Sequence, residues 1–222
     1  MSRSRVIVAL LSGTLALVLA AGVAWAATVQ CQVGEEMCLG TTEADTITGT
    51  SEQDYIRGLG GADLARGMGQ DDTVIGGKGK DTVKGLGGPD HLLWGGEAGL
   101  LNLGPFTDAS DDYTYGGAGA DRLFGGYAQG GVDRVFGEDG NDYIETYQRG
   151  LAAEYGVIVT KEIVNCGAGQ DTVYFDKDKD VVAPNCEDRH PVLPGGEGAP
   201  PPEPAASGGT QSTASVHGSP LE

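Results

Sequence analysis

From Gly40 to Leu92 this chain counts in nines. Aspartate stands at Asp45, Asp54, Asp63, Asp72, Asp81 and Asp90; five residues before each lies a glycine, Gly40, Gly49, Gly58, Gly67, Gly76 and Gly85. Two residues after each comes a small or branched apolar side chain in turn: Ile47, Ile56, Ala65, Val74, Val83 and Leu92. With 19 aspartates in 222 residues, chance does not produce such a run. A fixed short period means that one small structural unit is copied along the chain. Nine residues hold one tight turn and one short strand, which cannot bury anything alone, so the unit must be stacked on its copies.

The count survives interruption. It resumes at Asp112 and Asp121, slips by three residues to Asp133, continues at Asp142, and returns in CGAGQDTVY with Asp171 and then Asp180. About twelve units thus cover residues 40 to 183, and segments 94–106 and 146–163 break the register as loops. Glycines at the first, second and fourth positions permit φ > 0 and a tight turn with exposed carbonyls. The closing triplet, such as Thr82-Val83-Lys84, is a short strand whose middle residue faces inward. Two units make one coil of a flattened spiral, and coils pile up at about 4.7 to 4.9 Å.

Such a spiral has a thin core: glycine supplies 39 residues and aromatics only 6%. Its charge is the larger fact, with 32 acidic residues against 14 basic and a net −18, a balance that repels a phosphate backbone and argues against nucleic acid. With two units per coil, successive aspartates alternate between two edges, so that Asp45, Asp63 and Asp81 share one and Asp54, Asp72 and Asp90 the other. Carboxylates stacked at about 4.8 Å repel unless a cation lies between them. Calcium suits the gap, as a hard ion taking roughly six to eight oxygens, whereas magnesium keeps its water and demands stricter geometry. The expected cofactor is therefore Ca2+, and the candidate metal ligands are Asp45, Asp54, Asp63, Asp72, Asp81, Asp90, Asp112, Asp121, Asp133, Asp142 and Asp171.

The units GGKGKDTVK, GGAGADRLF and GEDGNDYIE resemble the haemolysin-type, or RTX, nonapeptide GGxGxDxUx over roughly residues 40 to 183. The resemblance implies an all-β fold, a parallel β-roll (two-sheet β-solenoid) with calcium between the turns of units i and i+2 and the sixth-position aspartates as ligands. The best-formed turns end at Asp63, Asp81, Asp90, Asp121, Asp142 and Asp171. Glu43, Glu52, Gln70 and Ser110 stand where the fourth-position glycine belongs, which weakens the match at Asp45, Asp54, Asp72 and Asp112. Asp180, in the glycine-free FDKDKD, reads as a cap, and Asp176 in the same turn is expected to face water. The family's toxins and proteases carry a catalytic or pore-forming part and a C-terminal export signal; this chain looks instead like its small stand-alone bacterial members.

Residues 1–26 read as a signal peptide, with Arg3 and Arg5 before an apolar run and Ala24-Trp25-Ala26 as the cleavage site. That predicts a secreted, extracellular protein with no membrane span after cleavage. Four cysteines in an exported chain predict disulfides; proximity in sequence favours Cys31 with Cys38, in a cap at 27–39, and Cys166 with Cys186, in a terminal repeat at 164–186. A four-thiolate zinc site lacks the usual spacing. Between them run the repeats of 40–145, interrupted at 94–106, and an insertion loop at 146–163; residues 187–222, rich in Pro, Gly and Ser, form a disordered tail.

No hydrolase or nucleotide-binding signature occurs, and His91, His190 and His217 are scattered, so the chain is not expected to be an enzyme. Tyr113, Tyr115, Phe124, Phe136 and Tyr143 fall on outward strand positions. They form either a ladder bracing neighbouring strands or, in the second reading of function, an adhesive face for a cell-surface, matrix or glycan partner.

Overall fold

The computed structural model describes residues 26–94, 109–125, 130–148, 159–193 and 198, and in these it contains strands and turns but no helix. The leader, most of 94–106, the middle of 146–163 and nearly all of the expected tail lie outside the described residues. The chain winds as a parallel β-solenoid of two eight-stranded sheets. One sheet stacks β1 (Thr28–Gln30), β3 (Thr46–Thr48), β5 (Leu64–Arg66), β7 (Thr82–Gly87), β9 (Tyr113–Gly119), β11 (Arg134–Gly140), β13 (Ile163–Asn165) and β15 (Val181–Val182). The other stacks β2 (Cys38–Leu39), β4 (Tyr55–Gly60), β6 (Thr73–Lys78), β8 (Leu92–Trp94), β10 (Arg122–Phe124), β12 (Tyr143–Glu145), β14 (Thr172–Asp176) and β16 (Asp188–Val192).

Twelve of these sixteen strands close the twelve units counted in the sequence. The remaining four, β1, β2, β13 and β16, follow no sixth-position aspartate, which is why the count fell short. β13 places the end of the supposed insertion loop inside the roll, paired with β11 and β15. β16 pairs with β14 from Thr172↔Asp188 to Asp176↔Val192, so the roll continues into the stretch expected to be tail from residue 187.

Register explains how the interruptions are tolerated. Thr46 pairs with Leu64 and Leu64 with Thr82, eighteen residues apart, whereas Thr82 pairs with Tyr113, Tyr113 with Arg134 and Arg134 with Ile163. The extra residues are spent between strands and never within a pair. Unit Asp90 departs in one detail. His91 N–H still donates to Asp72 O, yet Val74 lies beside Leu93 and not Leu92; one residue is bulged out, which strands accommodate locally.

The core is a double column of single side chains. Ile47, Ile56, Ala65, Val74, Val83, Leu123, Val135, Ile144 and Val173 are fully enclosed, with Thr114 taking the inward place between Val83 and Val135. Disulfides Cys31–Cys38 and Cys166–Cys186, both buried, continue it at the two ends. The loop of about twenty residues closed by the second is worth ~3 kcal/mol in the chain-entropy account. Outside, the aromatic rings lean on one another. Tyr115 stacks on Phe136 at 4.8 Å, and Lys84 lies over Tyr115; Tyr174 stacks on His190 at 4.5 Å, and Arg122 bridges Phe124 and Tyr143. That is the bracing ladder.

Candidate metal centres

Each candidate aspartate sits where a turn hands over to a strand, and all eleven are buried, none more than 6% exposed. They form two ladders. From Asp63 and Asp72 onward, Oδ1 of each accepts the backbone N–H of its counterpart one coil earlier: Asp45 donates to Asp63, Asp63 to Asp81, Asp81 to Asp112 and Asp112 to Asp133 along one edge, at 2.7–2.9 Å. Asp54, Asp72, Asp90, Asp121, Asp142 and Asp171 repeat the arrangement along the other. The nine-residue count therefore aligns the carboxylates across every interruption.

Oδ1 is thus used in holding coils together, and Oδ2 is what remains. In Asp63, Asp72, Asp90, Asp121, Asp142 and Asp171 it is buried and accepts no hydrogen bond from the described residues. Leaving a buried acceptor unsatisfied costs on the order of 1–3 kcal/mol, more when it is charged. Burial lifts the carboxyls of Asp63 and Asp121 to about 6 and those of Asp72, Asp90 and Asp142 to about 7. The N–H from the preceding coil partly offsets this, and neighbouring carboxylates push the same way as burial.

Carbonyls complete the setting. The second position is left-handed in these turns even where it is not glycine, at Leu59, Met68, Leu86 and Glu138 (φ +75° to +100°), and at Gly77, Gly117 and Gly167. At the fourth position a side chain on Gly79, Gly88, Gly119 or Gly140 would collide with the carbonyl of Gly61, Gln70, Gly88 or Gly119 of the coil before. The glycine permits that close approach. Gln70, marked from sequence as a departure, takes the left-handed conformation all the same, φ +71°.

Open carboxylate oxygens with carbonyls pressed between coils are the donor set of a hard cation. No cluster of three or more His, Cys, Asp or Glu side chains occurs among the described residues, so a site here would draw on two carboxylates and on backbone. The donor chemistry of these turns fits calcium.

Three turns differ. In those ending at Asp45 and Asp54, Oδ2 accepts both the N–H and the hydroxyl of Thr41 and Thr50 respectively, the hydroxyls at 2.9 and 3.0 Å. At the far end Asp180 Oδ2 accepts Asp176 N–H at 2.7 Å and the Thr146 hydroxyl at 2.9 Å. These turns close on themselves.

Asp176 does not face water. It is 1% exposed and its Oδ2 accepts Gln148 N–H, because β14 runs on to Asp176 and carries it under the base of the interrupted turn. Two ladder positions escaped the sequence count altogether, both glutamates: Glu162, whose N–H donates to Asp180 Oδ1, and Glu187, whose Oε2 accepts Asp171 N–H. Glu162 stands nine residues before Asp171 and opens E-I-V-N, so the phase signal was there under a different residue type.

A family model for the RTX calcium-binding nonapeptide repeat matches in four copies, at residues 39–67, 58–92, 106–126 and 127–147. No curated protein and no solved structure matches the chain. Buried aspartate ladders and turns that leave one carboxylate oxygen open coincide with the matched stretches: over residues 39–92 and 106–147 the chain contains RTX calcium-binding nonapeptide repeats, wound as a parallel β-solenoid.

Proposed function

We propose that this protein is exported and non-catalytic, and that its activity is the calcium-dependent assembly of the roll itself. The observation that carries this is the row of buried, unpartnered Oδ2 atoms at Asp63, Asp72, Asp90, Asp121, Asp142 and Asp171. In a chain of net charge −18 they oppose folding until a divalent ion meets them. The leader-like residues 1–26 and the two disulfides support an extracellular setting, where calcium modules bind at about 10⁻⁴ to 10⁻³ M. At ten times Kd each site adds about 1.4 kcal/mol by linkage, and several together decide between the coil and the roll.

All eleven sequence-derived aspartates remain in the proposal as ladder members, with the ion-holding role weighted to the open turns. An adhesive role for the aromatic faces has less support, since Tyr115, Phe136, Tyr174 and His190 are stacked on each other. The test is a calcium titration of the chain from Ala27 onward, followed by far-ultraviolet circular dichroism. β signal should appear cooperatively in the millimolar range; an unchanged β signal in excess EDTA would refute the reading.

A further inference from the structure

The interrupted turn between β12 and β13 contains the one fully buried glutamate of the described roll. Glu162 is 0% exposed. Its Oε1 accepts Gln148 Nε2 at 2.8 Å and the Thr160 hydroxyl at 3.2 Å, while Oε2, equally enclosed, accepts nothing from the described residues. In the regular turns, a methyl group on the first-position glycine would run into Oδ2 of that turn's own aspartate, as at Gly58, Gly116 and Gly137 with Asp63, Asp121 and Asp142. At Gly125, first position of the turn that ends at Asp133, the oxygen met is Glu162 Oε2 from the next coil, 3.0 Å from such a methyl. The longer side chain reaches back one coil and puts its oxygen where an aspartate Oδ2 sits elsewhere. Burial, then the charges of Asp133, Asp180 and Asp112, drives its carboxyl well above the ordinary range.

We propose that Glu162 Oε2, with Asp133 one coil earlier, holds a further calcium-class divalent cation beside Gly125, Glu162 itself lying outside the matched repeats. The proposal rests on the calcium reading of the open turns. A buried carboxylate whose charged neighbours are all acidic needs either a cation or a proton, and the orientation of Oε2 into a glycine turn with a second carboxylate favours the cation.

The experiment counts calcium bound at saturation, by equilibrium dialysis, to the oxidised chain from Ala27 onward and to Glu162→Gln, Gly125→Ala and Asp63→Asn. Glu162→Gln keeps the acceptor for Gln148 and Thr160 and should bind one ion fewer. Gly125→Ala leaves every carboxylate in place, crowds Oε2, and should weaken or lose the same single ion. An unchanged count for Glu162→Gln alongside a reduced count for Asp63→Asn would overturn this site alone, making Glu162 a protonated plug. Should Asp63→Asn also bind the full number, the calcium reading of the open turns fails with it. If Glu162→Gln does not regain the parent β signal in saturating calcium, Gly125→Ala decides, and parental count and affinity there would overturn the proposal.

Discussion

In the turn that ends at Asp54, Oδ2 takes two hydrogen bonds from Thr50; one coil on, in the turn that ends at Asp72, the same oxygen takes none. Both turns have six residues from glycine to aspartate, and both carboxylates are buried. The second position separates them. Threonine there, or Asp176 at the far end, points its N–H at Oδ2. In the open turns that position swings to positive φ and Oδ2 accepts nothing from the described residues. The turns at the ends of the roll are thus satisfied by the protein's own donors, and those of the middle keep an unsatisfied oxygen.

The severest way to break this contrast is to remove the cation. In excess EDTA most β signal should be lost, while amide exchange at Gly40–Ile56, in the coil stacked on the disulfide-tied end, stays slower than at Leu64–Ile144. Uniform loss or uniform protection would erase the distinction between end and middle. Next in size are the carbonyl-crowded glycines. Gly140→Ala, where a methyl meets Gly119 O, should cost several kcal/mol in calcium-loaded thermal or denaturant unfolding, whereas at Gly69 the nearest atom is 3.7 Å away and alanine should cost under about 1 kcal/mol. Equal losses would mean that turn geometry, and not carbonyl approach, sets the cost.

A third comparison sets the two kinds of carboxylate environment side by side. Asp63→Asn should lower calcium stoichiometry and raise the calcium midpoint. Thr50→Val should leave stoichiometry alone and cost about 1 kcal/mol for the lost hydroxyl bonds. Glu52→Gln, which removes a charge from an exposed side chain, should change neither; a calorimetric response equal to that of Asp63→Asn would favour diffuse binding to an acidic polymer. The gentlest lever is pH. With folded values near 6 to 7 at Asp63, Asp72, Asp90, Asp121 and Asp142, the metal-free roll binds more protons than the unfolded chain, whose carboxylates titrate near 3.9. Its stability is therefore greatest below about 4 and falls as pH rises through 7. Saturating calcium should reverse the slope, since protons then compete with the ion. Circular dichroism in EDTA at pH 5 and pH 8 checks the sign, and a metal-free chain more structured at pH 8 would contradict it.

Much of this was legible because phase is a geometric quantity. Nine-residue spacing forces alternate aspartates onto opposite edges whatever lies between, and short separations make the Cys31–Cys38 and Cys166–Cys186 pairs geometrically easy. Two features were harder to read. A glutamate in register, Glu162 or Glu187, is invisible to a count of aspartates, although its backbone does the same work. The distinction between closed and open turns lies in one φ angle and one hydroxyl, so Thr41 and Thr50 were passed over while the neighbouring Glu43 and Glu52 drew attention as missing glycines. Asp176 was misplaced because glycine-free sequence was equated with exposure, when Gln148 one coil earlier donates its N–H to the buried carboxylate.

The disulfides at either end also bear on what a stacked spiral could do with a second copy of itself. Parallel rungs that end in bare N–H and C=O rows invite end-to-end growth into filaments. Here the first rung of one sheet is only Cys38–Leu39, tethered through Cys38 to Cys31. The outermost strand of that sheet at the far end contains Pro191, which has no N–H to offer, and begins two residues after Cys186, itself tied to Cys166. In this sheet, then, a two-residue first rung and a proline in the last leave few free N–H groups for another molecule to pair with, and the covalent ties beside them hold the terminal coils shut.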